Sequence, residues 1–439
     1  MLIRRAYNDI LKWKNSPKKK ALFLTGARQV GKSYLVQYLA SQEYESFIEV
    51  NLLEDERARS LLQGAENTQD LLSRVSMLTN NPLLPGKTLI FFDEIQALPS
   101  LFTYAKFLAQ DDRFDVAFSG SMLGVIVKGT QSYPVGYVTE IAVHPLDFEE
   151  FCWAQGVSEN ILKSMAQNCL EGRSVEESLH NYLLDLFRKY VVIGGMPEVV
   201  QDYVDSHGDM ALVRETQLQL VEGYRRDIGK YAGKRALNTA KIFDQLPLEL
   251  NKESTRFVLS NMKENAKYNQ FNNDFDWLTE AGVALKTSLI TDPKPPLGSH
   301  VSPGYFKLYE SDTGMLVARY GEGVARDIYA DDAIGNYGGI FENVVAQQLA
   351  CARKNLYYFS NRKMGEVDFI TEDSRGRVIP IEVKSGRSPQ LHASLTRLVE
   401  NKEYRIERGY VISRLNIKKE GKIIYLPWYA LACMKNLLE

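Results

Sequence analysis

Gly26-Ala-Arg-Gln-Val-Gly31-Lys32-Ser33 sets two glycines, a lysine and a hydroxyl in the order G-x-x-x-x-G-K-[ST]. Phosphate binding calls for such a set. Glycines let a loop wrap closely without a Cβ clash, and the loop's N–H groups and the start of a helix then face an anion. Gly26, Val30, Gly31, Lys32 and Ser33 are the candidate contacts; Lys32 would reach β- and γ-phosphates and Ser33 would ligate Mg. An ordinary glycine turn is the competing reading, and the flanks weigh against it. KALFLT at Lys20–Thr25 suits a buried strand, and YLVQYLA after Ser33 has helical apolar spacing.

Two more strand tips carry polar residues. Thr88-Leu-Ile-Phe-Phe92 runs into Asp93-Glu94. There Asp93 would hold the Mg shell and Glu94 would orient and polarise an attacking water. Asp115-Val-Ala-Phe118 runs into Ser119-Gly120-Ser121. A hydroxyl at that tip, Ser119 in preference to Ser121, can sense a γ-phosphate or the water, although a helix-capping turn explains it as well. Phe47–Val50 reads as a further strand, and Gly64–Asn81 as helix-like. Pro82, Pro85 and Gly86 mark the return to the acidic strand. Alternating strands and helices predict a parallel sheet covered on both faces.

The last third offers a different chemistry. Gly365–Ile370 and Ile379–Gly386 read as two strands joined by a polar turn. Glu382 and Lys384 share one strand face, Ile381 and Val383 the other. Asp368 can face Glu382 across the hairpin, and Glu342, on IFENVVAQQLA, can add a third carboxylate. Hard oxygens at short range suit Mg or Mn, and a lysine beside them can orient a water and stabilise phosphate charge. The bland alternative is a set of salt bridges with Lys384 and Arg387.

The frame that must position these groups is large. With 439 residues, two to four domains are expected. The 45% hydrophobic and 25% charged content is that of a soluble globular protein and excludes a disordered or fibrous class. Lys plus Arg number 53 against 55 Asp plus Glu, so a strongly basic polyelectrolyte binder is excluded, though not a local basic groove. Cys152, Cys169, Cys351 and Cys433 form no C-x-x-C pair, which argues against a disulfide scaffold or a Cys-rich zinc site. The basic start, MLIRRAYNDILKWKNSPKKK, lacks a long apolar stretch, and the run Ile423–Met434 is short and holds Pro427. A cytoplasmic location and no membrane partner are expected.

TGARQVGKS, LIFFDEIQALP, SGSMLGV and HPLDFEEF resemble the corresponding motifs of AAA-type ATPases. More narrowly, the chain resembles a widespread prokaryotic family of single-chain ATPases with a C-terminal domain of unknown function. The likeness continues through Gly194-Gly-Met-Pro-Glu198, AKIFDQLP, FKLYESDTGML and Phe341-Glu342-Asn343. Relatives usually carry Gly-Arg where this chain has Gly136-Tyr137. Arg113, Arg225 and Arg226 are the candidates to replace that arginine, each equally readable as a surface residue. The Glu342, Asp368, Glu382, Lys384 set resembles the PD-(D/E)xK nuclease superfamily, which implies phosphodiester hydrolysis on DNA or RNA.

The resulting expectation is an α/β chain of four parts. A P-loop AAA-type core spans 1–150, a helical lid 151–232, a winged-helix middle domain 233–310 and an α/β PD-(D/E)xK nuclease-like domain 311–439. The winged-helix reading rests on helices around LNTAKIFDQLPLEL, TRFVLSNMKEN and NNDFDWLTEAG, with Val283–Ile290 and Tyr305–Tyr309 as the wing. Its recognition helix, near Asn272–Thr279, carries Asp274 and Asp276, with Glu280 next to it, and no Arg. Docking a protein therefore competes with binding DNA there. ATP with Mg is the expected cofactor pair, with Mn an alternative at the C-terminal acids. Nucleotide state would control a nuclease-like domain or, alternatively, a non-catalytic one that binds a protein or DNA partner.

Overall fold

Thr88–Asp93 is buried at every position, as a strand covered on both faces must be. In the computed structural model, which describes residues 2–121, 136–252, 256–257, 268–331, 337–386 and 392–439, it is β3 of a five-stranded sheet. The others are β1 (Ala21–Thr25), β2 (Ser46–Asn51), β4 (Asp115–Gly120) and β5 (Val138–Ala142). All neighbours are parallel, in the order β2-β3-β4-β1-β5. Parallel strands end at one edge, and binding sites of open α/β sheets lie there. Because β3, β4 and β1 are adjacent, the ends of Thr25, Asp93 and Ser119 fall together. Aromatic packing fixes their spacing: Phe92 stacks on Phe118 at 5.5 Å, and Phe102 meets Phe118 edge-on at 5.3 Å. The helix-like stretch after Gly64 is Thr68–Met77, started by Asn67, whose side-chain oxygen accepts from the Asp70 N–H at 2.9 Å.

Contacts divide the chain into two compact units. One is Arg4–His144 with Glu280–Gly282; the other is Pro145–Thr279 and Val283–Glu439 with the first three residues. The second unit is built on an eight-stranded sheet of β6 (Ala284–Ile290), β7 (Val301–Glu310), β8 (Tyr357–Asn361), β9 (Gly365–Glu372), β10 (Val378–Val383), β11 (Gly409–Ser413), β12 (Lys418–Glu420) and β13 (Ile423–Pro427). Their order is β12-β13-β11-β10-β9-β8-β6-β7.

Three features of this unit differ from the expectation. The helices expected as a lid, among them Glu177–Ile193, fall in the unit of the eight-stranded sheet. Phe187 is the reason: its ring lies 6.1 Å from Trp428 and 6.5 Å from Phe341. Tyr190 adds polar contacts, its hydroxyl accepting from the Gln347 and Gln348 amides at 3.0 and 2.8 Å and donating to Leu146 O at 2.7 Å. The expected wing is instead one edge of the large sheet, because β6 pairs in parallel with β8 through Ser288–Tyr357, Leu289–Tyr358 and Ile290–Phe359. The expected recognition helix exists as Tyr268–Glu280, but Phe271, Asp274, Phe275, Trp277 and Leu278 are buried in it. Asp274 accepts from the Thr239 hydroxyl at 3.1 Å and so serves packing. Apart from Arg256 and Phe257, the stretch TRFVLSNMKEN expected as the middle helix lies outside the described residues, as do the end of SGSMLGV and Arg387. Among the described residues no helix is long and apolar enough to cross a membrane.

Candidate nucleotide site and carboxylate cluster

The loop between β1 and the helix Lys32–Glu43 takes the shape its glycines permit. Gly26 has φ +136°, and a Cβ there would lie 2.1 Å from the Val143 carbonyl oxygen. Gly31, in the left-handed region at φ 92°, precedes the first turn of the helix. Val30 is fully buried, and Arg4 pins the loop from outside, donating to Val30 O at 2.9 Å and His144 O at 2.6 Å. Lys32 is curled onto its own loop and donates to Gly26 O at 3.1 Å and Ala27 O at 2.7 Å. Burial lowers its pKa to about 8 against the pull of Glu94 and Asp93, with Arg28 lowering it further. At neutral pH the ammonium is therefore still charged, as phosphate binding requires.

The acids stand at the adjoining strand ends. The Ser33 hydroxyl donates to Asp93 Oδ2 at 2.7 Å, and Ser119 donates to Asp93 Oδ1. The Glu94 N–H also reaches Asp93 Oδ1, at 3.1 Å. Glu94 itself sits at φ 54°, a strained conformation for a non-glycine residue and one found most often at functional sites. Gln96 donates its amide to Glu94 Oε2 and lies 3.3 Å from the Ser121 hydroxyl. One chain thus links Ser33, Asp93, Ser119, Glu94, Gln96 and Ser121. Every residue expected at this site is in it or in the loop. Gln96 and Arg4 were not anticipated, for lack of any motif; a polar residue two positions after the acidic strand tip is the only signal that points to Gln96. The fit to a nucleotide is good: a glycine loop packed so closely on Val143 that Gly26 has no room for a Cβ, a buried cation within the loop, and a hydroxyl–carboxylate pair of hard oxygens beside it. Arg113 pairs with Asp111, Arg225 with Asp244 at 3.0 Å, and Arg226 with Glu222 at 4.0 Å.

The C-terminal acids also converge. Glu382 lies on β10 one position beyond the last β9 pair, opposite Asp368, and Asp368 Oδ2 accepts from the Val383 N–H at 2.8 Å. Lys384 bridges Glu382 Oε1 at 2.8 Å. Glu342, on the helix Gly338–Cys351, accepts from the Tyr309 hydroxyl at 2.6 Å. A residue not anticipated stands among them. Lys307 Nζ is 3.0 Å from Glu342 Oε2, 3.0 Å from Glu366 Oε1 and 3.8 Å from Asp368 Oδ1, and only 1% of its side chain is exposed. Arg256 closes the far side, 2.7 Å from Glu366 Oε2. Burial, with Glu382 and Glu342 adding to it, pushes the Asp368 carboxyl well up; burial also raises Glu382, against Lys384. Burial opposes the charge of Lys307, but Glu342, Asp368 and Glu366 hold it well above the ordinary lysine range. Among the described residues no group of three or more His, Cys, Asp or Glu is placed to hold a metal ion. The signal for Lys307 was a lysine inside the apolar strand FKLYE, two residues from Tyr309 and so on its face.

The parallel sheet, the glycine loop and the acid-tipped β3 define a P-loop ATPase module of the AAA type. Consistent with this, residues 18–152 match the family model described as the AAA domain. Residues 184–324 and 337–431 match two models described as domains of unknown function, DUF8612 and DUF4143. Among curated proteins none matches the chain. Solved structures similar to it include the Aeropyrum pernix ORC1 protein in complex with DNA, at 13% identity and TM-score 0.24 over 75% of this chain and 91% of that one. The Hsp104–ADP complex of S. cerevisiae is similar at 14% identity and TM-score 0.28, over 79% of this chain and 51% of that one. This chain therefore spans about half the length of Hsp104.

Proposed function

We propose that the chain hydrolyses ATP at the Lys32–Glu94 site, and that its nucleotide state controls the C-terminal domain. The observation that carries this is the unbroken hydrogen-bonded chain from Ser33 through Asp93 and Ser119 to Glu94 and Gln96. Lys32 would leave the carbonyls of Gly26 and Ala27 for the β- and γ-phosphates, and the glycine loop would bind them through its N–H groups. Mg, held by Ser33 and Asp93, would neutralise phosphate charge. Glu94 would accept the proton of the attacking water, with Ser119 beside it and Gln96 fixing its carboxylate.

For the C-terminal domain the convergence of Glu342, Asp368, Glu382 and Lys384 supports metal-dependent cleavage of DNA or RNA. A second reading, in which this domain binds a protein or DNA partner without cutting, is favoured by the salt bridges that Lys307 makes through those acids. One panel tests both. Lys32→Ala is expected to abolish ATP binding. Glu94→Gln is expected to keep binding and lose turnover by about 10²-fold or more; normal turnover there would remove Glu94 from the role. In parallel, plasmid, linear DNA and RNA are incubated with Mg or Mn, with and without ATP. Cleavage abolished by Lys384→Ala establishes the first reading. Intact nucleic acid alongside Lys32-dependent phosphate release establishes the second.

A further inference from the structure

We infer that the Lys307 ammonium is a built-in cation standing where a divalent metal would stand, so that the Glu342–Glu366–Asp368–Glu382 cluster binds no metal ion in the intact protein. This decides against metal-dependent cleavage at these acids, leaves the second reading of the domain open, and does not depend on ATP hydrolysis.

Space comes first. A hard divalent cation sits about 2.0–2.6 Å from its carboxylate oxygens. Lys307 Nζ already lies 3.0 Å from two of the oxygens such an ion would use, and 3.8 Å from a third. The two cannot share that volume. The lysine is also poorly placed to leave. Its side chain is 1% exposed. Its nitrogen faces the Tyr358 ring at 5.4 Å, and Tyr309, two residues along β7, ties the same face to Glu342 at 2.6 Å. A buried ammonium released from carboxylates would need another anion.

Charge gives the same answer. Glu342, Glu366, Asp368 and Glu382 bring four carboxylates, and Lys307, Lys384 and Arg256 bring three cations in direct contact with them. A divalent ion added to these three would overfill the cluster with positive charge. Taking Lys307 away would leave two cations against four acids and open a volume lined by Glu342, Asp368 and Glu382. The Glu382 Oε2 atom is buried and has no hydrogen-bond partner, so it is available as a ligand once that volume opens. Lys307→Met, which keeps length and removes charge, should therefore convert the cluster into a divalent-cation site.

The test uses the full chain without nucleotide and Mn as the probe. Calorimetric titrations of the wild type and of Asp368→Asn should coincide, with no Mn site that Asp368→Asn removes. Lys307→Met should acquire one such site, and millimolar Mn should raise its melting temperature by about 3–5 °C while leaving the wild type unmoved. The double variant with Asp368→Asn should lose both effects. A stoichiometric wild-type Mn site abolished by Asp368→Asn overturns the inference, as does a folded Lys307→Met that gains no Mn site. If Lys307→Met fails to fold, the comparison of wild type with Asp368→Asn decides alone.

Discussion

Glu94 is held in place from two sides. Its backbone takes a left-handed conformation at the tip of β3, and its carboxylate accepts from Gln96. A general base works only when its oxygen faces the proton it takes, and small misplacements are costly. Gln96 is a positioning residue in this scheme, since it touches the base and not the loop that holds phosphate. Gln96→Ala should lower kcat for ATP about tenfold, equivalent to roughly 1.4 kcal/mol, with little change in KM. Gln96→Glu should set a second carboxylate against Glu94 and move the acidic limb of the pH–rate profile to higher pH. A change in KM alone, with kcat and the profile unmoved, would assign Gln96 to nucleotide binding instead.

At the scale of elements, Asp312 is where three helices are joined. It caps Thr313–Tyr320 by accepting from the Met315 N–H at 3.0 Å. Its other oxygen accepts from the Gly195 N–H at 2.6 Å, in the break between Glu177–Ile193 and Pro197–Asp205. The break admits nothing larger than glycine, because a Cβ on Gly195 would lie 2.0 Å from Leu146 O. Burial raises the Asp312 pKa from 3.8 to about 6, in spite of those N–H donors and the Gln347 amide. An acid with a higher pKa in the folded than in the unfolded chain contributes stability that is full below pH 4 and is lost as pH rises through 6. Asp312→Asn removes that dependence. Relative to the wild type, the variant should gain on the order of 2–3 kcal/mol between pH 4 and 7, read from denaturant midpoints at each pH. Parallel curves for the two proteins would show that Asp312 does not titrate in this window.

Across the whole molecule, the legible parts of the sequence were those whose chemistry is local. Gly26–Ser33 is one loop between a strand and a helix, and Asp93-Glu94 ends one apolar strand, so periodicity placed both. Glu382 and Asp368 were within reach because a short hairpin brings them opposite each other. Lys307 was not, since its partners come from a helix 35 residues on and from a strand beyond it. The same long-range pairing hid the role of Val283–Ile290. A two-stranded wing and a sheet edge have the same alternation, and only the β6–β8 pairing tells them apart. A chain cut at residue 311 should therefore aggregate, because β8 loses its neighbour and Lys307 leaves the acids. A chain of residues 145–439, which follows the division of contacts, should give a single cooperative melt. Soluble, cooperatively folded 311–439 would refute this.

The order of the strands also bears on synthesis. β6 and β7 leave the ribosome before β8, which follows about 50 residues later at Tyr357. At a synthesis rate of about 5–20 residues per second, the hairpin waits roughly 2–10 s with one strand edge unpaired. Until residue 342 is made, which is most of that interval, Lys307 is a charge without Glu342, Glu366 or Asp368. The ammonium that closes the finished cluster is before then a solubilising charge on the nascent hairpin, on the strand next to the one that waits for β8.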